Sequence, residues 1–167
     1  MRILLAFALI FAALSLVRAT PVELTGENVT LDIPDDWKTL QKPAATAPSG
    51  AVPIFNAANP EDTAGLTVML CSNANQVTVT NPGFIAGVKN SITASALSKG
   101  NSVQFTGEGP TTLNGVPAYL LQHGLTLPDA KQVLCHTYLI AGNRKLYLVL
   151  TQTIDAGQIP ALDTMAT

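Results

Sequence analysis

Thr111-Thr112-Leu113-Asn114-Gly115-Val116-Pro117-Ala118-Tyr119-Leu120-Leu121 decides the fold. Asn-Gly between two β-rich runs is the strongest short hairpin signal, because both central residues of a type I′ turn need positive φ. Working outward, Pro128-Asp129-Ala130-Lys131 reads as a four-residue loop and Gly142-Asn143 as a two-residue turn. The segments between these turns are rich in Val, Ile, Leu, Tyr and Thr, as a pleated and largely buried surface requires. A four-stranded antiparallel meander from Ser102 to Thr153 follows.

Side chains alternate along a strand, so each turn length fixes a sorting of faces. These turns place His123 opposite His136, Tyr138 opposite Tyr147 and Cys135 opposite Leu150. One face then carries Val103, Phe105, Ala118, Leu120, Val133, Cys135, Leu139, Leu146, Leu148 and Leu150, and is core. The reverse face carries Tyr119, His123, His136, Tyr138 and Tyr147, apolar rings interrupted by polar atoms. It is a candidate binding face, either open or covered by a helix.

Upstream, Asn81-Pro82-Gly83 opens a helix with Asn81 as cap and Pro82 in its first turn. Phe84, Ile85, Val88, Ile92, Ala96 and Leu97 recur at helical spacing, and Gly100 ends the run. This helix is expected to cover the leucine-rich face. Strands are expected over Glu27–Ile33 and Gly65–Cys71. The proline-rich span from Gln41 to Ala64 is expected to be a loop with one short strand at Ala51–Phe55. Trp37 is expected to pack on the adjacent sheet edge. After Thr153 there is room for a short helix beginning near Pro160.

Arg2 followed by the apolar run Ile3–Val17 and the small-residue site Val17-Arg18-Ala19 reads as a secretory signal peptide over residues 1–19. The run is short for a membrane span, which needs ~20 apolar residues. One domain, residues 20–167, remains, exported to a periplasm or beyond without a stable membrane anchor. Setting aside Arg2 and Arg18 leaves seven of the nine basic residues against 11 acidic ones, a formal charge of −4. That balance argues against nucleic acid as a partner. Two cysteines in an exported chain invite a Cys71–Cys135 disulfide, the alternative being two separate buried thiols.

The strand and turn Leu31-Asp32-Ile33-Pro34-Asp35-Asp36-Trp37, the helix Pro82–Leu97, the hairpin Leu113–Ala118 and the strands around Gly142-Asn143-Arg144-Lys145-Leu146-Tyr147 resemble the PsbP/DcrB-like superfamily. That superfamily shares its fold with the Mog-type Ran-binding protein. The resemblance implies an α+β fold, an antiparallel sheet with helices on both faces in an α/β/α sandwich. It also implies a protein that binds something, mostly another protein, without a common catalytic set.

The residues agree with a non-enzyme. Gly-x-Ser-x-Gly and Cys-x-x-Cys are absent, and no carboxylate pair is placed for glycoside hydrolysis. Cys71, Cys135, His123 and His136 suit zinc by type, but Cys135 and His136 are adjacent in a strand and point apart. Glu108 falls beside Leu121, away from the histidines. No metal or cofactor is expected. The reading is an exported protein that engages a protein partner as an accessory, adaptor or immunity-type factor. The alternative is a carrier of a small apolar or amphipathic ligand on the Tyr119/His123/His136/Tyr138/Tyr147 face.

Overall fold

The β-rich runs and the one strongly periodic segment become the elements expected of them. The chain runs β1 (Ala19–Leu24), β2 (Val29–Pro34), β3 (Lys38–Thr39), β4 (Ala51–Ala58), β5 (Ala64–Cys71), α1 (Pro82–Leu97), β6 (Ser102–Leu113), β7 (Val116–Thr126), β8 (Gln132–Gly142), β9 (Lys145–Thr153) and, after a 3-10 turn, α2 (Ile159–Thr164). The structure is a computed structural model that describes residues 19–24, 29–39, 51–71, 78–113, 115–142 and 145–165. Residues 1–18 of the expected signal peptide and residues 41–50 of the proline-rich span lie outside the described residues. β1 and β2 form a separate hairpin, and the other seven strands make one antiparallel sheet in the order β3-β4-β5-β9-β8-β7-β6.

α1 starts as its sequence dictates. The Asn81 side chain accepts a hydrogen bond from the Phe84 N–H at 3.1 Å, satisfying one of the free donors of the first turn. It ends where Gly100 adopts φ 77°, a conformation glycine takes without penalty. Ile85 is buried against Leu121, Leu139 and Leu148, with Phe84, Val88 and Ile92 beside it. Lys89 ties the helix to the sheet edge: its ammonium lies 4.8 Å from the centre of the Phe105 ring and 2.8 Å from Glu108.

The reverse face is covered differently from the expected sandwich. Leu31 and Ile33 of β2 pack on Phe55, Val68, Tyr138, Tyr147 and Val149, flanked by Trp37. α2 lies against β9 and buries Leu162. A hairpin and the short closing helix therefore share the face on which a helix was expected. Alternation in β2 explains it: Leu31 and Ile33 point the same way, and burying each contributes about 1.5–3 kcal/mol. β4 is also longer than expected, with Pro53 accommodated at an irregularity in its pairing to β5.

The register departs from the sequence reading at three places. Leu113 pairs with Val116 as the Asn-Gly signal requires, but Asn114 itself is outside the described residues. Gly142 pairs with Lys145, so Tyr138 meets Val149 rather than Tyr147, and Cys135 meets Gln152 rather than Leu150. That slip of two residues leaves the faces unchanged. The β7–β8 connection slips by one, and one is decisive. His123 pairs with Cys135, and Gln122 pairs with His136, so the two histidines lie on opposite faces. A bulge between Phe105 and Gly107 then flips the first half of β6. This returns Val103 and Phe105 to the face where they were expected, and Glu108 does stand beside Leu121.

The cause of the slip is a tighter turn. The Leu127 N–H donates to the Lys131 carbonyl at 2.8 Å, and the Ala130 N–H donates to the Leu127 carbonyl at 2.9 Å. The loop is thus Pro128-Asp129-Ala130, with Ala130 at φ 64°. A turn followed by one left-handed residue is the common three-residue hairpin connection. Glycine is its usual occupant, and alanine there strains its Cβ against the backbone. Ala130→Gly should stabilise the protein by about 0.5–1 kcal/mol, the relief of strain exceeding the added freedom of the unfolded chain. Urea unfolding checks this as a higher midpoint at unchanged slope.

Candidate functional site at a polar row

The one-residue slip assembles a row that the sequence did not advertise. Gly107, Gln122, His136 and Thr151 are successive partners across β6, β7, β8 and β9. Three polar side chains therefore stand side by side on the face that β2 and α2 cover. α2 supplies the fourth, Asp163. Its carboxylate receives the His136 Nδ1–H at 3.0 Å and the Thr151 hydroxyl at 3.2 Å. Tyr138, one pleat along from His136, lies near the same carboxylate. Burial first, then that carboxylate, push its phenol well above the usual range.

Asp163 thereby fixes the imidazole. A histidine that gives its Nδ1 proton to a carboxylate presents Nε2 as an acceptor. Here Nε2 faces the carboxamide nitrogen of Gln122 at 3.3 Å. Gln122 can lie across β6 because its neighbour there has no side chain: a Cβ on Gly107 would come within 2.5 Å of the Gln122 carbonyl oxygen. Beside the row is a cavity of about 140 Å³, lined by Thr106, Gln122, Leu134, His136 and Ile159, with His123 and Cys135 also at its wall. Thr106 is the bulged residue of β6, and bulges commonly re-aim a side chain in this way. An oriented imidazole can accept a proton, but a carboxamide is no nucleophile, so the row holds the first two parts of a catalytic triad and lacks the third.

The expected five-residue face is divided. Tyr119 and His123 lie on the α1 side, whereas His136, Tyr138 and Tyr147 lie on the β2 side. Tyr138 and Tyr147 are 4% and 6% exposed, and His123 is 4% exposed. His123 stacks obliquely on Phe105, with centroids 5.5 Å apart, and its Nδ1 has no partner. Burial holds its pKa below the ordinary value. The row's other members, Gln122, Thr151 and Asp163, escaped the sequence reading. Their signal is faint: one glutamine between leucine and histidine, and one aspartate in the short closing helix.

The expected disulfide is absent. Cys71 and Cys135 are free thiols. Cys71 aligns with Leu146 on β9 and Cys135 with Gln152, six residues further along. That is about 20 Å at ~3.3 Å per residue, far beyond the ~7 Å limit on Cα separation for a bridge. Burial pushes the Cys135 thiol up to about 12 and raises Cys71 as well. Among the described residues, no cluster of three or more His, Cys, Asp or Glu is placed to hold a metal ion. A second cavity, about 240 Å³, opens among Ala58, Asp62, Thr63, Val133, Gln152 and Ile154.

Compared by sequence, the chain matches no described protein family and no characterised protein. Solved structures do match. CyanoP, the cyanobacterial PsbP of Synechocystis sp. PCC 6803, superposes with a TM-score of 0.66 at 14% identity over 92% of each chain. PA94 of Pseudomonas aeruginosa, a protein of unknown function, aligns at 16% identity over 86% of this chain and 90% of its own, with a TM-score of 0.39. LpqN of Mycobacterium tuberculosis, involved in cell envelope biogenesis, aligns at 21% identity over 86% of this chain and 82% of its own, with a TM-score of 0.43.

Two outcomes follow from this geometry. Asp163→Ala should cost about 1–3 kcal/mol, since it strands the donors of His136 and Thr151; hydrogen exchange should rise first over α2. Without reductant, a thiol reagent at pH 8 should label the half-buried Cys71 in the native protein and Cys135 only after unfolding, because a thiol with so high a pKa is neutral and unreactive there. Peptide mass spectrometry reads both. The seven-stranded sheet with α1 on one face, matched by CyanoP over nearly its whole length, is a PsbP-like fold.

Proposed function

We propose that this is an exported, non-enzymatic protein that works by engaging another protein. One observation carries the reading: the rings expected to line a ligand pocket are split between two faces, with Tyr138 and Tyr147 buried on the side that β2 covers. Among the described residues, the two cavities detailed above, of about 240 and 140 Å³, fall short of the roughly 300–1,000 Å³ typical of metabolite sites. Their size favours a protein partner over a carried ligand. The enzyme alternative lacks a nucleophile, because the oriented Nε2 of His136 meets an amide.

Export rests on the signal-like N-terminus, and the fold accommodates it. β1 begins at Ala19, so a chain starting at Thr20 keeps all of β1 but its first residue. It also keeps the hydrogen bond from the Thr20 hydroxyl to Asp35. No helix among the described residues is long and apolar enough to cross a membrane.

Strand addition is a poor mode of recognition here. β6 is a twelve-residue edge, but the bulge at Thr106, the charge of Glu108 and the missing N–H of Pro110 guard it against a foreign strand. Side-chain recognition on the surface is the mode left. Cross-linking and affinity purification of the tagged full chain from the exported fraction should recover one polypeptide in a saturable, stoichiometric complex. Native mass spectrometry that shows a retained lipid or metabolite, with no polypeptide recovered, would overturn the reading.

A further inference from the structure

We infer that the cavity beside His136 is a recognition pocket for a primary carboxamide, the side chain of an asparagine or glutamine on the partner. This rests on the protein-partner reading and assigns it a contact point. Size sets the first limit. About 140 Å³ has room for a few heavy atoms, since a water occupies ~30 Å³ in the liquid. The end of one side chain fits; a metabolite does not.

Chemistry sets the second limit. In the neutral ring, the Nδ1 proton of His136 is committed to Asp163 at 3.0 Å, and Nε2 then offers a lone pair. Its present partner, the Gln122 carboxamide nitrogen at 3.3 Å, sits beyond the usual N–H donor distance of ~2.9–3.0 Å. An incoming N–H can displace that contact at little cost. The Gln122 N–H groups and the Thr106 hydroxyl are then free to donate to a carbonyl oxygen. A ligand must therefore present one donor and one acceptor, close together and uncharged. A primary carboxamide does so, and its methylenes would leave along the apolar wall of Leu134 and Ile159. A carboxylate has no proton for Nε2 and would bring a charge beside Asp163, which already faces His136. An alkyl group would leave Nε2 and Gln122 unsatisfied by the newcomer.

The site is built rather than incidental. Gly107 provides the space in which Gln122 lies, the bulge brings Thr106 to the cavity wall, and Asp163 holds the imidazole from α2. Three strands and a helix converge on one pocket of a few atoms.

The test uses the full mature chain and propionamide as the probe, with propionate and 2-butanol as comparators. The His136 side-chain ¹⁵N resonances are followed during titration. Propionamide should shift Nε2 saturably in the millimolar range while Nδ1 moves little, and propionate should bind more weakly. Thr106→Val should weaken propionamide about fivefold, the loss of roughly one neutral hydrogen bond. Ile159→Trp, which fills the cavity, should abolish the shift while circular dichroism stays native. No saturable shift, equal or tighter binding of propionate, or an unchanged affinity in Thr106→Val overturns the assignment. The partner reading is judged separately: if wild type and Ile159→Trp capture the same polypeptide equally, the pocket proposal fails and the partner remains.

Discussion

Everything distinctive about this structure depends on the parity of one turn. Strands alternate their side chains with a period of two, so a connection one residue shorter or longer exchanges the faces of the following strand. Between β7 and β8 the chain uses three residues, closed by the Leu127–Lys131 pair, with Ala130 in the left-handed region. That choice sends Leu121 beneath α1, separates His123 from His136, and aligns Gln122 with His136 and Thr151. A four-residue turn would have put the two imidazoles side by side and taken Gln122 away from His136.

The sequence made the elements legible and left their pairing open. Asn-Gly marked the β6–β7 turn, the Asn81 cap and Gly100 marked the ends of α1, and the meander spans Ser102 to Thr153 as its β-rich runs indicate. These signals are local, and a turn dipeptide or cap acts through its own backbone. Register is not local in that sense. Pro128-Asp129-Ala130-Lys131 contains no glycine to announce a left-handed residue, so the loop length could not be read from composition. Gly107-Glu108-Gly109-Pro110 does read as a bulge or kink, but nothing in it marks Thr106 as the residue that bulges. Val103 and Phe105 reached the expected face only because the bulge and the tighter turn cancel.

The two histidines show how much a face decides. They lie on neighbouring strands, one residue out of register with each other, in the same sheet. His123 is enclosed under α1 beside Phe105 with no charge partner, and burial disfavours its protonated form. His136 meets a carboxylate on one nitrogen and an amide on the other. The same residue is a space-filling ring in one place and an oriented hydrogen-bonding group in the other. Residue type alone, which made both look like members of one binding face, carries no information about which.

The polar row and α2 explain each other. Gln122, His136, Thr151 and Tyr138 would be costly on an otherwise apolar face if nothing answered their donors, since a buried unsatisfied group costs about 1–3 kcal/mol. α2 has six residues, far below the ~12 at which a helix holds together alone. Asp163 satisfies two donors at once, Leu162 beside it is 2% exposed, and the Met165 carbonyl accepts from Asp32 of β2 at 2.9 Å. The helix thus exists because the row needs an acceptor, and the row is tolerated because the helix brings one. What this exchange leaves over is the Nε2 of His136, whose partner Gln122 stands at the long limit of a hydrogen bond. A network closed on every side but one has its spare capacity at that side, and there the cavity lies.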